Sequence, residues 1–226
     1  MHVNDAHRIE VPRTLDDLCR SDRLALIVYD MQVGILSQLG DGGRAVLAKV
    51  LEVLDAARTT GRPVFFLRHL SLPRALMGTF QLRQAMAWQR VQDPDEVRPW
   101  FVRDSPGFAL APELRVRSDE AVFDKITFSA FEGTPLAIAL RDLDVNAFAI
   151  VGVATEIGIE PTVRHGGDLG LIPVVVTDAC GTGHAEEGER ALAGLRYMGD
   201  ALFTTSAEFG AALLRGAMPA SNTESA

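Results

Sequence analysis

Three polar features stand where otherwise apolar runs of the chain end. Asp30 closes LALIVYD, Lys125 closes EAVFDK, and the turn Gly152-Val153-Ala154-Thr155 closes VNAFAIVGVA just ahead of a helical stretch. A carboxyl group, an amine and the N–H row of a helix start can together hold a proton, a counter-charge and an anion. Spacing alone leaves a structural ion pair between Asp30 and Lys125 equally open. His69 closes PVFFLRH and is placed to touch a substrate. Cys180 ends IPVVVTDAC and reads as a small, half-buried residue, and Cys19 lies ahead of the first of these runs with no partner motif. Glu156 and Glu160 suit the first turn of a helix by charge alone. His165 and His184 read as helix-surface and loop residues, and Trp88, Trp100, Phe101, Phe128 and Phe131 as a pocket wall, core or interface.

These residues need strands to hold them. Runs rich in β-branched residues recur over 24–30, 63–69, 120–125, 145–154, 172–180 and 201–205. Their near-continuous apolarity predicts strands buried on both faces, as in a parallel sheet. Helical patterns lie between most of them. Asp41 is a candidate cap for a helix ending at Gly61, and Thr134-Pro135 opens another. Further helices are expected over 80–91, 158–169 and 185–197. The alternation predicts right-handed βαβ units and a three-layer α/β/α sandwich on a mostly parallel six-stranded sheet. Ligands of such sheets sit beyond the carboxyl ends of the strands, so Asp30 and Lys125 are expected on adjacent strands with their charged atoms roughly 3 to 5 Å apart. Residues 70–119 are too long for one crossover and form an insertion suited to a substrate cover or a subunit contact. The reading is one domain over 1–216 and a disordered tail over 217–226.

Composition narrows the function. The chain has 226 residues, with 22 Lys and Arg against 30 Asp and Glu, a formal net charge of -8. That balance repels polyphosphate and anionic lipid, so neither nucleic acid nor a membrane is an expected partner. Two cysteines are too few for a disulfide scaffold, and the first twenty residues lack the apolar core of a secretion signal, so a cytoplasmic location is expected. No glycine turn forms GxGxxG after a strand, so no dinucleotide site is implied.

Three segments resemble the isochorismatase-like hydrolases, the cysteine hydrolase superfamily. LALIVYDMQVGI resembles the family's first-strand motif, in which the catalytic aspartate precedes Met-Gln, which implies that role for Asp30. FDKITFSAFEGTPL resembles the Lys-x-x-x-Ser-Ala-Phe-x-x-Thr segment and implies Lys125 as the catalytic lysine. GVATEIGIEPTVRHGGDLGLIPVVVTDACGTG resembles the third motif, which carries the nucleophile elbow. The resemblance implies the isochorismatase fold, a small-molecule substrate and a homo-oligomer, dimer or tetramer, built through helices and the insertion. It also implies a cis peptide before the elbow, at Val153-Ala154. Gln32, His69, Phe131, Val153, Ala154, Thr155 and Ile157 are then the candidate substrate-binding residues. Metal-binding members carry Asp-x-His after the second strand; this chain has His69 alone in FFLRHLSLPR, so no metal and no other cofactor is expected.

One departure decides the chemistry. Where most of the family reads Gly-Val-x-Thr-x-x-Cys, this chain has Gly158 at the nucleophile position. Glycine forms no thioester, so the acyl-enzyme route is closed there and only a backbone role remains. Isochorismatases proper also lack the cysteine and cleave a vinyl ether through acid catalysis and water. The expected activity is therefore hydrolysis with Asp30 as general acid/base, Lys125 as its electrostatic partner, free to meet a substrate carboxylate, and water as nucleophile. Pro161 confines the helix start to about Gly158. Free N–H groups, and room for a substrate group or a water where sulfur would stand, are expected there. An amide or ester hydrolase in which Asp30 activates water, with those N–H groups as oxyanion donors, is a second possibility. A catalytically silent binding protein is the third.

Overall fold

The computed structural model describes residues 2–4 and 9–217. A small antiparallel ladder, β1 (His2–Asn4) with β2 (Ile9–Val11), precedes the main body. Six strands form the central sheet: β3 (Leu24–Tyr29), β4 (Val64–His69), β5 (Ala121–Lys125), β6 (Ala147–Val153), β7 (Ile172–Gly181) and β8 (Leu202–Thr204). Their order is β5-β4-β3-β6-β7-β8 and every neighbouring pair is parallel. β3 and β6 are buried along their whole length, which is why both read as unbroken apolar runs.

The chain winds outward from β3 in one direction, returns, and then winds outward from β6 in the other. The crevice where the winding reverses therefore opens between the carboxyl ends of β3 and β6, below Asp30 and Ala154. On one face Leu24, Leu26 and Val28 pack with α1 (Leu15–Arg20), α3 (Asp41–Thr59) and α8 (Ser206–Ala217). On the other, Ala25, Ile27 and Tyr29 pack with α5 (Leu136–Asp142), α6 (Glu160–Asp168) and α7 (Ala185–Met198). The alternation of β3 thus aims the Tyr29 ring into the α5/α6/α7 layer.

Several local details differ from the expected ones. Asp41 is the first residue of α3 and Gly40, at φ +55°, holds the cap position; α3 ends before Gly61 at φ +67°. Pro135, not Thr134, holds the cap position of α5, and Thr134 sits one residue ahead of it with its hydroxyl accepting from Leu136 N–H at 3.3 Å. The third-motif helix starts as a π-helical turn over Thr155–Ile159 before α6 begins. Lys125 is on the outermost strand with β4 between it and β3, so the expectation of adjacent strands for Asp30 and Lys125 is corrected. The segment 70–119 contains α4 (Thr79–Gln89) and short 3₁₀ turns, after α2 (Val33–Gln38) has followed β3. It folds back over the end of β3 through Val33 N–H to Ala109 O and Ala111 N–H to Met31 O, both at 2.9 Å. α8 runs through Ala217, and the remainder of the expected disordered tail lies outside the described residues.

Candidate active site

Asp30 leaves β3 with φ +49°, a left-handed conformation that costs a non-glycine residue about 1 to 3 kcal/mol and persists only where surroundings enforce it. Its N–H donates to Leu67 O at 3.1 Å and its carbonyl accepts from Gln32 N–H at 2.7 Å. This bend turns the side chain along the sheet edge, across the end of β4, toward β5. There Lys125 Nζ donates to Asp30 Oδ2 at 2.8 Å and to Thr127 O at 3.2 Å. The ammonium also lies 4.2 Å from the centre of the Tyr29 ring. Two of the three N–H groups of the ammonium are thus bonded to oxygen, with the Tyr29 ring packed beside them.

Both side chains of the pair are almost fully buried, at 1% exposure for Lys125 and 8% for Asp30. Burial disfavours both charges: it raises the Asp30 carboxyl above the usual carboxylate range against the pull of Lys125, and lowers Lys125 against the pull of Asp30. Asp30 Oδ1 is buried with no hydrogen-bond partner among the described residues.

The pair forms part of a cavity of about 530 Å³. His69, Val153, Ala154 and Ile157 line it, as do Trp88, Trp100, Phe101 and Phe128. Trp88 and Trp100 are stacked, 6.4 Å apart at 6°, and Phe128 packs on Trp88. The insertion thus supplies one aromatic wall. His69 is held neutral, its pKa pushed down to about 3 by burial and then by Lys125. The other candidate substrate-binding residues are engaged elsewhere. Gln32 is fully buried, and its amide clamps the chain by accepting from His69 N–H at 2.7 Å and donating to Phe108 O at 2.9 Å. Phe131 packs between Phe148 and His165 in the core. Thr155 donates to Gly181 O at 2.8 Å.

The surroundings of Gly158 correct two expectations. The N–H groups of Ile157, Gly158 and Ile159 are not free: all converge on Ala154 O at 3.0 to 3.3 Å. Nor is there room for water where a side chain would stand. A Cβ at Gly158 would lie 2.0 Å from Tyr29 Oη and 2.3 Å from Cζ. The Tyr29 hydroxyl donates to Phe128 O, so the phenol lies across the place of the absent side chain. Tyr29 carried no role in the sequence reading; a bulky aromatic directly before the acid, in a chain with glycine at the elbow, was the available signal. The Val153–Ala154 peptide is cis. Gly152, at φ +124°, lets β6 pass against Tyr29, whose carbonyl would meet a Cβ at 2.0 Å.

Glu156, read from sequence as a helix-start acid, also lines the cavity. Its Oε1 accepts from Gly183 N–H at 2.8 Å and His184 N–H at 3.2 Å, while Oε2 is buried without a partner among the described residues. Cys19 and Cys180 do not line the cavity, and both thiols are raised by burial, Cys19 to about 11. Among the described residues no three His, Cys, Asp or Glu side chains are grouped to hold a metal ion. No described helix is long and apolar enough to cross a membrane.

A six-stranded parallel sheet with an acid and a lysine meeting beyond its carboxyl edge is the architecture of the isochorismatase-type α/β hydrolases. The isochorismatase domain matches residues 24–208, and the chain belongs to that family. It is 28% identical over 165 residues to the isochorismatase family protein YecD of Escherichia coli O157:H7, covering 72% of this chain and 82% of that one. Ureidoacrylate amidohydrolase RutB of Stutzerimonas stutzeri is 25% identical, with 76% of this chain and 75% of RutB covered. The structure of an isochorismatase family protein from Burkholderia thailandensis superposes with a TM-score of 0.69 at 28% identity, covering 86% of this chain and 97% of the other.

Proposed function

We propose that this family member hydrolyses a small molecule without a thiol nucleophile: Asp30 moves the proton, Lys125 fixes and balances its charge, and water supplies the oxygen. The observation that carries the reading is Asp30 itself. One carboxyl oxygen is tied to Lys125 and the other has no partner among the described residues, in a setting whose burial raises its proton affinity. A general acid working near neutral pH needs that elevation, and burial outweighs the opposing ammonium. Protonation of the leaving group or of an electron-rich carbon by Asp30, with water adding to the other fragment, cleaves either a vinyl ether or a C–N bond. RutB, named for ureidoacrylate amide hydrolysis, favours the C–N version. A version in which the elbow N–H groups hold an oxyanion has less support, since three of them are bonded to Ala154 O.

The test is a turnover screen of the purified protein against isochorismate, small amides, ureido acids and esters, with Asp30→Asn as the comparison. Turnover of at least one class should fall by roughly 10² to 10⁴ in the variant, the range of a positioned acid-base group. A folded Asp30→Asn variant as fast as the parent overturns the assignment. Self-association is part of the reading: Leu76, Phe80, Trp88 and Trp100, all in the insertion, are 40 to 68% exposed. Light scattering at micromolar concentration should give a dimer or larger, and a monomer mass removes that part alone.

A further inference from the structure

The cavity has a charge pattern that the proton chemistry does not use. Its lysine is already paired with Asp30 and bonded to Thr127 O against the Tyr29 ring, and among the described residues no arginine lines the wall. A carboxylate arriving there meets, among the described residues, no lysine or arginine that is not already paired. Glu156 presents the opposite case, since its buried Oε2 has no donor among the described residues while Oε1 is held by the loop at Gly183 and His184. The aromatic side chains of Trp88, Trp100 and Phe128 line the same cavity. A buried carboxylate oxygen without a donor and a group of aromatic rings both favour one kind of ligand, a positively charged nitrogen attached to a flat apolar body.

We propose that Glu156 is the specificity-determining residue of this cavity and selects substrates bearing an ammonium group on a small planar or aromatic frame, against the isosteric carboxylates. The inference rests on reading this cavity as the substrate site, but not on which bond is cleaved. The nitrogen supplies the donor that Oε2 lacks, the rings cover the apolar frame, and the scissile bond falls toward Asp30.

The experiment uses the full chain with phenethylamine and 3-phenylpropionate as probes, a similar frame with opposite charge. Trp88 and Trp100 are the only two tryptophans of the chain and both line the cavity, so intrinsic fluorescence reads binding directly. Phenethylamine should bind at least about tenfold tighter than 3-phenylpropionate, the scale of one charge-assisted hydrogen bond. Glu156→Gln keeps an oxygen for Gly183 and His184 but removes the charge, and should reduce that ratio by about tenfold. The readout is equilibrium binding of two probes that are not turned over, which separates this inference from the catalytic one. Equal binding of the two probes by the parent, tighter binding of the carboxylate, or an unchanged preference in Glu156→Gln overturns the proposal while leaving the role of Asp30 standing.

Discussion

Tyr29 and Gly158 occupy one volume, and the consequence can be measured without knowing the substrate. In Gly158→Ala the added methyl lies 2.0 Å from Tyr29 Oη, 2.3 Å from Cζ and 2.4 Å from Cε1. Ordinary carbon contacts begin near 3.5 Å, so the phenol must retreat by roughly 1.5 Å from a packed layer. Overpacking of that kind costs about 1 to 3 kcal/mol. Retreat also breaks the Tyr29 hydrogen bond to Phe128 O, leaving a part-buried carbonyl unpaired at about 1 to 3 kcal/mol more. The single variant should thus lose about 2 to 6 kcal/mol, which at about 2 to 4 °C per kcal/mol for a chain of this size lowers Tm by some 4 to 24 °C. In a Tyr29→Leu background the obstruction is gone. There the same alanine should be neutral or stabilising by about 0.4 to 1 kcal/mol, because it restricts the unfolded chain. Urea melts of the four proteins give the coupling directly. If Gly158→Ala costs the same in both backgrounds to within about 0.5 kcal/mol, the two residues are independent and the shared-volume argument fails.

Two further outcomes follow from the buried groups. Iodoacetamide at pH 8 should leave native activity and mass unchanged, since Cys19 is pushed up to about 11 and Cys180 is raised further, and should add two carbamidomethyl groups in urea; native labelling with loss of activity contradicts the thiol-free site. His69 is depressed from 6.5 to about 3, so the unfolded chain takes up that proton first: stability is whole above 6.5 and declines as pH falls toward 3, by at most about 1.4 kcal/mol per pH unit from this group. His69→Gln should flatten the decline between pH 6.5 and 4 relative to the parent, and parallel curves exclude the burial argument.

The central sheet was legible because burial on both faces leaves its mark on every residue of β3 and β6. The strand positions agree with the runs read from sequence to within one or two residues at nearly every end. What the runs do not encode is their lateral order, so the separation of Lys125 from β3 by a whole strand was invisible. The short helices were missed for a different reason. α1 and α8 lack a long apolar repeat, yet each opens with a reciprocal cap: Thr14 with Asp17, and Thr205 with Glu208. The T-x-x-E of Thr205-Ser206-Ala207-Glu208 was a readable start signal. The Thr14 cap uses Asp in place of Glu and was harder to read.

The site was legible as charges and illegible as volumes. Asp30 and Lys125 are visible because an ionisable residue is out of place at the end of an apolar run, and the strand geometry then brings them within 2.8 Å. Gly158 announces only a missing side chain. Whether that absence is a hole depends on a residue 129 positions away in sequence and one alternation step out of phase on β3, where a tyrosine reads as one more core aromatic. The same limitation hid Glu156, whose charge looked satisfied by a helix start until both oxygens could be followed and one was found without a donor. A thiol introduced at Gly158 alone would therefore have to displace the phenol that lies over the lysine and holds Phe128 O. Any side chain placed at 158 therefore needs a coordinated change at 29, because Gly158 and the Tyr29 phenol share one volume.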